Sequence, residues 1–258
     1  MFRIRIQNKK KCIWYCSAVV SFLLFLLLLG WTNHLANTQD AQQMAGRWSE
    51  KKDVAQISCF FSSKAEVTED TIQSFEYSLK NVLQEASITE TSENPSARLW
   101  VDAYSADGKI TLVNGKNTLD ANAIGIGGDF FMFHPLKLIT GAYFSGNDLM
   151  QDYCIIDQDA AWQLFGSNDV VGMTVYIGNV PHIVTGVVQR PDSRMDKAAG
   201  LNSTVVYVSY ETLSAYGTNN GINHYEIVMP NPVDEFAYGK VKEGIGIDEK
   251  NVEIDRQS

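Results

Sequence analysis

The stretch "AIGIGGDFF", Ala123 to Phe131, sets three glycines within four residues ahead of an acid and two aromatics. Read as a phosphate loop it makes the chain a nucleotide-binding α/β protein; read as glycine-relaxed extended chain it makes this segment part of a sheet. A Walker loop needs Gly, four residues, then Gly-Lys-Ser or Gly-Lys-Thr, so that backbone amides cradle phosphate while the lysine and hydroxyl complete the site. Gly108-Lys109, Gly115-Lys116 and Gly239-Lys240 lack those partners. A dinucleotide fingerprint, G-x-G-x-x-G, puts Phe130 where the last glycine belongs, and Phe131 to Pro135 make a poor helix start. The stretch therefore reads as extended chain that bends or lies close to another backbone, with Phe130 and Phe131 available to a core.

At the amino terminus, Ile13 to Trp31 ("IWYCSAVVSFLLFLLLLGW") carries no charge. That length matches the roughly 20 residues a helix needs to cross about 30 Å of hydrocarbon. Arg3, Arg5, Lys9, Lys10 and Lys11 precede it with no acid, and Trp14, Tyr15 and Trp31 stand where interfacial aromatics belong. The positive-inside rule then puts residues 1–11 in the cytoplasm as a basic tail, the membrane helix over 12–31, and everything beyond it outside the cell membrane. A cleavable signal is the competing reading, but its apolar region is shorter, about 7–15 residues, and ends in a small-x-small site, for which "NHLANTQD" is a poor match.

The net charge of −9 becomes −14 once those five basic residues are set aside. So acidic an external part repels nucleic acid and anionic lipid. Cys12 and Cys16 lie in or beside the span, leaving Cys59 and Cys154 outside. The latter two sit in apolar, strand-like runs, which favours buried thiols, although a single disulfide remains open in an oxidising compartment.

Beyond the span, Leu35, Ala41, Met44, Ala45 and Trp48 recur at mixed helical spacings, so residues 32–52 read as a polar helical stalk and the fold starts near Asp53. "VAQISCFFS" (Val54 to Ser62) reads as a strand. Thr68 can cap a helix whose apolar face is Ile72, Phe75, Leu79, Val82, Leu83 and Ala86. "ARLWVDAYS" and "KITLVNGKN" suggest a hairpin turning at Asp107-Gly108. "QDAAWQLFGS" is a helix opened by Asp157 and Asp159 and ended by Gly166. "MTVYIG" and "HIVTGVV" form a hairpin around Gly178-Asn179. "TVVYVSYETL" is a strand leading to a short helix, "HYEIVMPNP" a strand stopped by proline, and Val233 to Ser258 a helix and a last short strand, "NVEI".

The chemistry-bearing residues are sparse. His34, His134, His182 and His224 are isolated in sequence with no i+4 partner, and each reads as a surface or core residue and not a ligand. Asp192 and Asp196 in "RPDSRMD" fit a polar loop better than a cation site. Asn202-Ser203-Thr204 formally matches a glycosylation acceptor. No catalytic, cofactor-binding or metal-binding residue is assigned, no cofactor is expected, and the chain reads as a non-enzyme.

From Ile124 onward an ordered set of segments is legible: Gly128-Asp129-Phe130-Phe131, Leu136 to Phe144, Cys154-Ile155-Ile156-Asp157, Ala161 to Gly166, Asp169 to Val175, and Val184-Thr185-Gly186-Val187-Val188. This order resembles the extracytoplasmic (periplasmic) core domain of the MacB and FtsX-like ABC transporter permeases. The resemblance implies an α+β fold: an N-terminal transmembrane helix and stalk, then a two-part extracytoplasmic domain. Its α/β porter-like subdomain spans 53–113 and 202–258, and an inserted β-rich subdomain spans 114–201. It further implies a permease-type subunit whose external domain couples ATP hydrolysis by a cytoplasmic ABC ATPase subunit to movement outside the membrane, in export. Phe130, Trp162, Phe165 and Gly172 then shape the inserted part. Three more membrane helices follow this domain in the family and not within these 258 residues. The expected partners are therefore the ATPase, a second permease chain or the missing C-terminal transmembrane half, and the lipid bilayer, with no nucleic acid. A stand-alone single-pass tethered binding or sensing module is the alternative.

Overall fold

The computed structural model describes residues 2–36, 43–49, 53–89, 98–190 and 203–257. They fall into two units, 1–43 and 44–258.

The first unit is one long helix, α1 (Phe2–Ala36). Its segment Trp14–Thr32 is 19 residues long, wholly unburied within the protein, and apolar enough to cross a membrane. Nothing in a charge-free aliphatic run competes for backbone hydrogen bonds, and in hydrocarbon a helix satisfies every one internally. Thr32, at the polar end, folds its hydroxyl back onto the carbonyls of Leu28 and Leu29, both at 3.0 Å.

The globular unit begins at Met44, ahead of the Asp53 expected from sequence. Of the expected stalk, residues 37–42 and 50–52 lie outside the described residues; residues 44–48 form a short helix, α2 (Met44–Trp48), that belongs to the domain. Met44 is buried in a core cluster and its backbone N–H donates to Gln56 Oε1 at 3.0 Å. A buried methionine and a satisfied helix-end amide are both lost if this segment continues as a free polar stalk.

Among the described residues, eleven strands make one mixed sheet: β1 (Val54–Phe61), β2 (Val101–Asn114), β3 (Asn117–Gly128), β4 (Leu138–Gly141), β5 (Tyr153–Asp157), β6 (Thr174–Ile177), β7 (Val180–Val188), β8 (Val205–Ser209), β9 (Thr218–Asn219), β10 (His224–Pro230) and β11 (Val252–Gln257). The order is β11-β1-β10-β2-β3-β8-β5-β7-β4, with β9 on β2 and β6 joining β2 to β7. The last connection closes β2-β3-β8-β5-β7-β6 into a ring. Around it pack Ala106, Ile110, Leu112, Ile156, Val175, Val184, Val206 and their neighbours. The pairs β3–β8 and β5–β7 are parallel and the others antiparallel.

The spine is β2, a strand of 14 residues that pairs along one side with β3 and along the other with β10, β9 and β6 in turn. It runs straight through Asp107-Gly108, so the hairpin expected there does not form; the chain turns instead at Gly115-Lys116, with Asn114 opposite Asn117. Two observations explain the shift. Gly115 takes φ +60, the conformation a two-residue hairpin loop demands. A Cβ on Gly108 would meet the Thr218 carbonyl at 2.3 Å, so that glycine is kept for the close approach of β9 and not for a turn. The sequence boundary between 113 and 114 falls at this hairpin tip.

Elsewhere local chemistry and structure agree. Helix α3 (Glu69–Glu85) buries Ile72, Phe75, Leu79 and Leu83, each contributing about 1.5–3 kcal/mol by leaving water. Thr68 precedes it as N-cap. Helix α4 (Phe130–Phe133) is a single turn where a helix was not expected; three buried phenylalanines hold it, and Pro135 lies just beyond its end. Helix α5 (Gln158–Phe165) is capped by Asp157, whose carboxylate accepts from the Ala160 N–H, and ended by Gly166 at φ +72. Gly178 and Asn179 both take positive φ between β6 and β7. Among the described residues, the remaining α-helices are α6 (Tyr210–Tyr216) and α7 (Phe236–Gly244).

Strand period fixes what lies on each face of β1, β10 and β2. One face carries Ala55, Ile57, Cys59, Tyr225 and Ile227 against α3 and α7. The other carries Val101, Ala103 and Val228 against α2 and α4, and with them the buried polar residues Gln56, Ser58 and Glu226. Cys59 and Cys154 are free and fully buried, and burial pushes both thiols up to about 12.

Candidate functional site

Both faces of the β1–β10–β2 layer carry buried polar groups. On the α3 face, Asp102 of β2 accepts from Tyr225 Oη at 3.0 Å and faces Glu76 of α3. Tyr104, two residues along β2, donates to Glu69 Oε1 at 2.8 Å. Arg98 pairs with Asp129 at 2.5 Å near the same end of the sheet. Burial, then the charge of Asp102 and a hydrogen bond to it, push Glu76 up to about 8. Burial also raises Asp102, against the hydrogen bonds from Glu76 and Tyr225 that lower it. Both carboxyls of the pair are thus biased toward holding a proton between them.

This pair ties α3 to the spine strand in a pH-dependent way. A carboxyl with a raised folded pKa holds a proton that the unfolded chain has released, so its contribution is complete below the ordinary value of 4.5 and is lost as pH rises toward about 8. Thermal melts of the wild type and Glu76→Gln across that window should show the wild type losing stability relative to the variant as pH rises. Parallel curves would remove the shared proton from the account.

On the opposite face, two residues of one strand meet a third that is some ninety positions away in sequence. His224 and Glu226 alternate on β10, and His134 follows the last residue of α4. One ligand atom from each lies within 4.8 Å of the others. Glu226 is 4% exposed. Its Oε1 accepts from Ser58 Oγ at 3.1 Å and Gln56 Nε2 at 3.4 Å. Its Oε2 stands 2.5 Å from His134 Nε2, yet neither atom has a hydrogen-bond partner, nor does the buried His224 Nε2. The contact is close but not aligned. His224 stacks on Phe60 at 4.6 Å between ring centroids. Burial lowers the pKa of His224, and Glu226 opposes that shift. Burial alone would raise Glu226, but the two imidazoles and Ser58 bring it below its ordinary value.

Sequence reading kept all four histidines apart as non-ligands. The structure brings His134 and His224 together and leaves His182 hydrogen-bonded between Val180 O and Thr212 Oγ1. The available signal was the alternation His224-x-Glu226 in a strand, which puts both side chains on one face; His134 gave none. Asp192, Asp196 and Asn202 lie outside the described residues. Of the residues expected to shape the β-rich part, Phe130 is buried and Phe165 packs on the ring core. Trp162 is instead 59% exposed, and Gly172 takes φ +81 with open space around it. The tryptophan lies on the outer face of α5, where helical periodicity turns it away from Ala161 and Leu164.

The glycines of "AIGIGGDFF" serve packing. A Cβ on Gly127 would lie 1.9 Å from the Tyr104 ring, one on Gly128, at φ +62, 2.5 Å from the Asp102 carbonyl, and one on Gly146 2.4 Å from Gly127 Cα. Gly146 N–H donates to Gly128 O at 3.0 Å. No space remains there for a phosphate.

Residues 20–256 match the model of the MacB-like periplasmic core domain. The macrolide export ATP-binding/permease protein MacB of Chromobacterium violaceum is 32% identical over 99 residues, 38% of this chain and 15% of that protein. Its counterpart from Shewanella sp. is 31% identical over 120 residues, 45% of this chain and 18% of that protein. The chain thus spans less than a fifth of the length of these relatives within the matches. Among solved structures, the periplasmic region of MacB from Actinobacillus actinomycetemcomitans aligns over 82% of this chain and 92% of its own, with 18% identity and a TM-score of 0.47. The extracellular domain of the noncanonic ABC-type transporter YknZ from Gram-positive bacteria aligns over 78% and 99%, with 17% identity and the same TM-score. With the match reaching from inside the apolar helix to the final strand, the chain belongs to the family of the MacB-like periplasmic core domain of ABC transporter permeases.

Proposed function

We propose that the chain serves as the permease-type element of a MacB-like ABC transporter. Its amino terminus is cytoplasmic, its globular unit is extracytoplasmic, and ATP is hydrolysed by a separate cytoplasmic ATPase subunit. The globular unit moves as a body when the membrane helix moves, and that displacement drives export, a conformational coupling with no bond made or broken in this chain. Within the unit, residues 53–113 and 202–258, which include the α3–α7 layer on β1, β10 and β11, are the porter-like part, and residues 114–201, which supply β3, β5, β6 and β7 of the closed ring, are the inserted β-rich part. A second permease chain, or the C-terminal transmembrane half of the family, completes the membrane portion.

The observation that supports this reading most is the extent of the family match, which includes part of the span and the whole domain. Detergent extraction and affinity capture of the native chain tests it. Stoichiometric recovery of an ABC ATPase together with a second multispan chain, or a second copy, is the expected result. Recovery of the chain alone from mild detergent would overturn it.

A further inference from the structure

We infer that His134, His224 and Glu226 form a binding site for a borderline divalent cation, with Zn²⁺ the best fit. Two imidazoles and one carboxylate are the donor set of open zinc sites, which leave a fourth position to water or another ligand. The surrounding groups are arranged as a metal site arranges them. Ser58 and Gln56 occupy Glu226 Oε1, so the carboxylate is oriented and Oε2 is the oxygen left to coordinate. Phe60 fixes the plane of the His224 ring by stacking, and Phe130, 4.7 Å away between centroids, flanks His134.

The strongest argument is what the three residues lack. His224 Nε2 is buried from solvent without a hydrogen bond, and His134 Nε2 and Glu226 Oε2, equally buried, have only each other, in a contact too poorly aligned for a hydrogen bond. Buried polar atoms in native proteins are nearly always well paired, and three that converge on one point with so little between them call for a common partner. A cation supplies it. Bonds of about 2.0–2.2 Å place tetrahedral ligand atoms roughly 3.4 Å apart. The 2.5 Å contact between His134 and Glu226 opens toward that value, and the widest separation, 4.8 Å, closes toward it. Cys59 lies on the opposite face of β1 with its thiol pKa raised, so the donor set contains no sulfur.

The consequence is mechanical and independent of the transport reading. His134 hangs from the end of α4 and the other two ligands are on the central strand β10, so the cation staples one to the other. Both imidazoles keep 20–25% of their surface exposed, so the cation has a path in.

The test uses the untagged full chain in detergent, stripped with chelator and titrated with Zn²⁺ by calorimetry. One equivalent per chain is expected, with His134→Gln and His224→Gln each weakening affinity by well over ~100-fold, beyond the ~10–100-fold typical of an outer-shell loss. Absence of saturable uptake overturns the site, as does wild-type affinity in both folded variants. If the variants do not fold, X-ray absorption of the Co²⁺-loaded wild type decides. Two imidazoles with oxygen in the remaining positions support the assignment; thiolate or all-oxygen coordination overturns it.

Discussion

Replacing Asp157 with alanine should lower the stability of the globular unit by roughly 3–5 kcal/mol, the range for removing one partner of a buried ion pair. The side chain is 2% exposed and three elements converge on it. Oδ1 caps α5 through the Ala160 N–H at 2.7 Å. Oδ2 accepts from Val205 N–H, at the start of β8, at 3.0 Å, and from Arg190 Nε at 3.3 Å. Arg190 also contacts Asp159 at 2.5 Å and Thr204 Oγ1 at 2.9 Å, but its side chain is only 18% exposed and cannot turn freely to water. The cap alone accounts for about 1 kcal/mol. The rest should come from the Val205 N–H and the Arg190 Nε–H, both left without an acceptor while Arg190 keeps its pair with Asp159, and chemical denaturation can separate the contributions. Asp157→Ala combined with Arg190→Met should recover much of the loss, because exchanging both partners of a buried pair for apolar groups is often close to neutral. A double variant no more stable than the single one would assign the effect to the cap and the β8 amide.

Gly127→Ala should cost about 3 kcal/mol, at the upper end for overpacking a full core. At this size that lowers the melting temperature by roughly 6–12 °C. The new methyl group would sit 1.9 Å from the Tyr104 ring. The ring is held edge-on to Tyr210 at 5.9 Å between centroids and by its hydroxyl bond to Glu69, so it cannot swing aside cheaply. Gly166→Ala provides the contrast: its φ is +72 but nothing lies within 4 Å of the added atom, so only backbone strain of about 1–2 kcal/mol remains. Equal losses at the two sites would show that steric overlap at Gly127 is relieved by movement. Adding Tyr104→Ala to Gly127→Ala should give less than the sum of the two single losses, since the second change removes the obstacle that the first collides with.

These two positions mark how far the sequence could be read. Asp157 was legible as a helix cap because capping is local: an acid, a short amphipathic run and a closing glycine carry the whole signal. Its bond to Arg190, across a strand hairpin and a loop, was not. Gly127 was legible as a close approach, since missing motif partners excluded phosphate, but Tyr104 could not be named as the group approaching. Asp107-Gly108 misled because the turn preference of that pair is weak against the pairing of an uninterrupted β2 with β3, β9 and β10. The His134, His224 and Glu226 cluster stayed hidden for the same reason of distance, since α4 and β10 are some ninety residues apart in sequence and touch only in the folded domain. Single-turn α4 shows the converse, a helix made by the burial of Phe130, Phe131 and Phe133 where propensity offered little.

The outermost strand has one more implication. Gln56, near the entry into β1, lies opposite Gln257, at the exit from β11, and the ladder runs from there to Phe61 opposite Val252. The start of β1 and the end of β11 thus lie side by side. Tension between these two points would load the ladder's bonds one after another like a zipper, the weak direction for a sheet, beginning at Gln56 and Gln257. A push or twist delivered to both points together leaves every rung unloaded. Held at these two points, the unit would tolerate being rocked as a lever far better than being stretched.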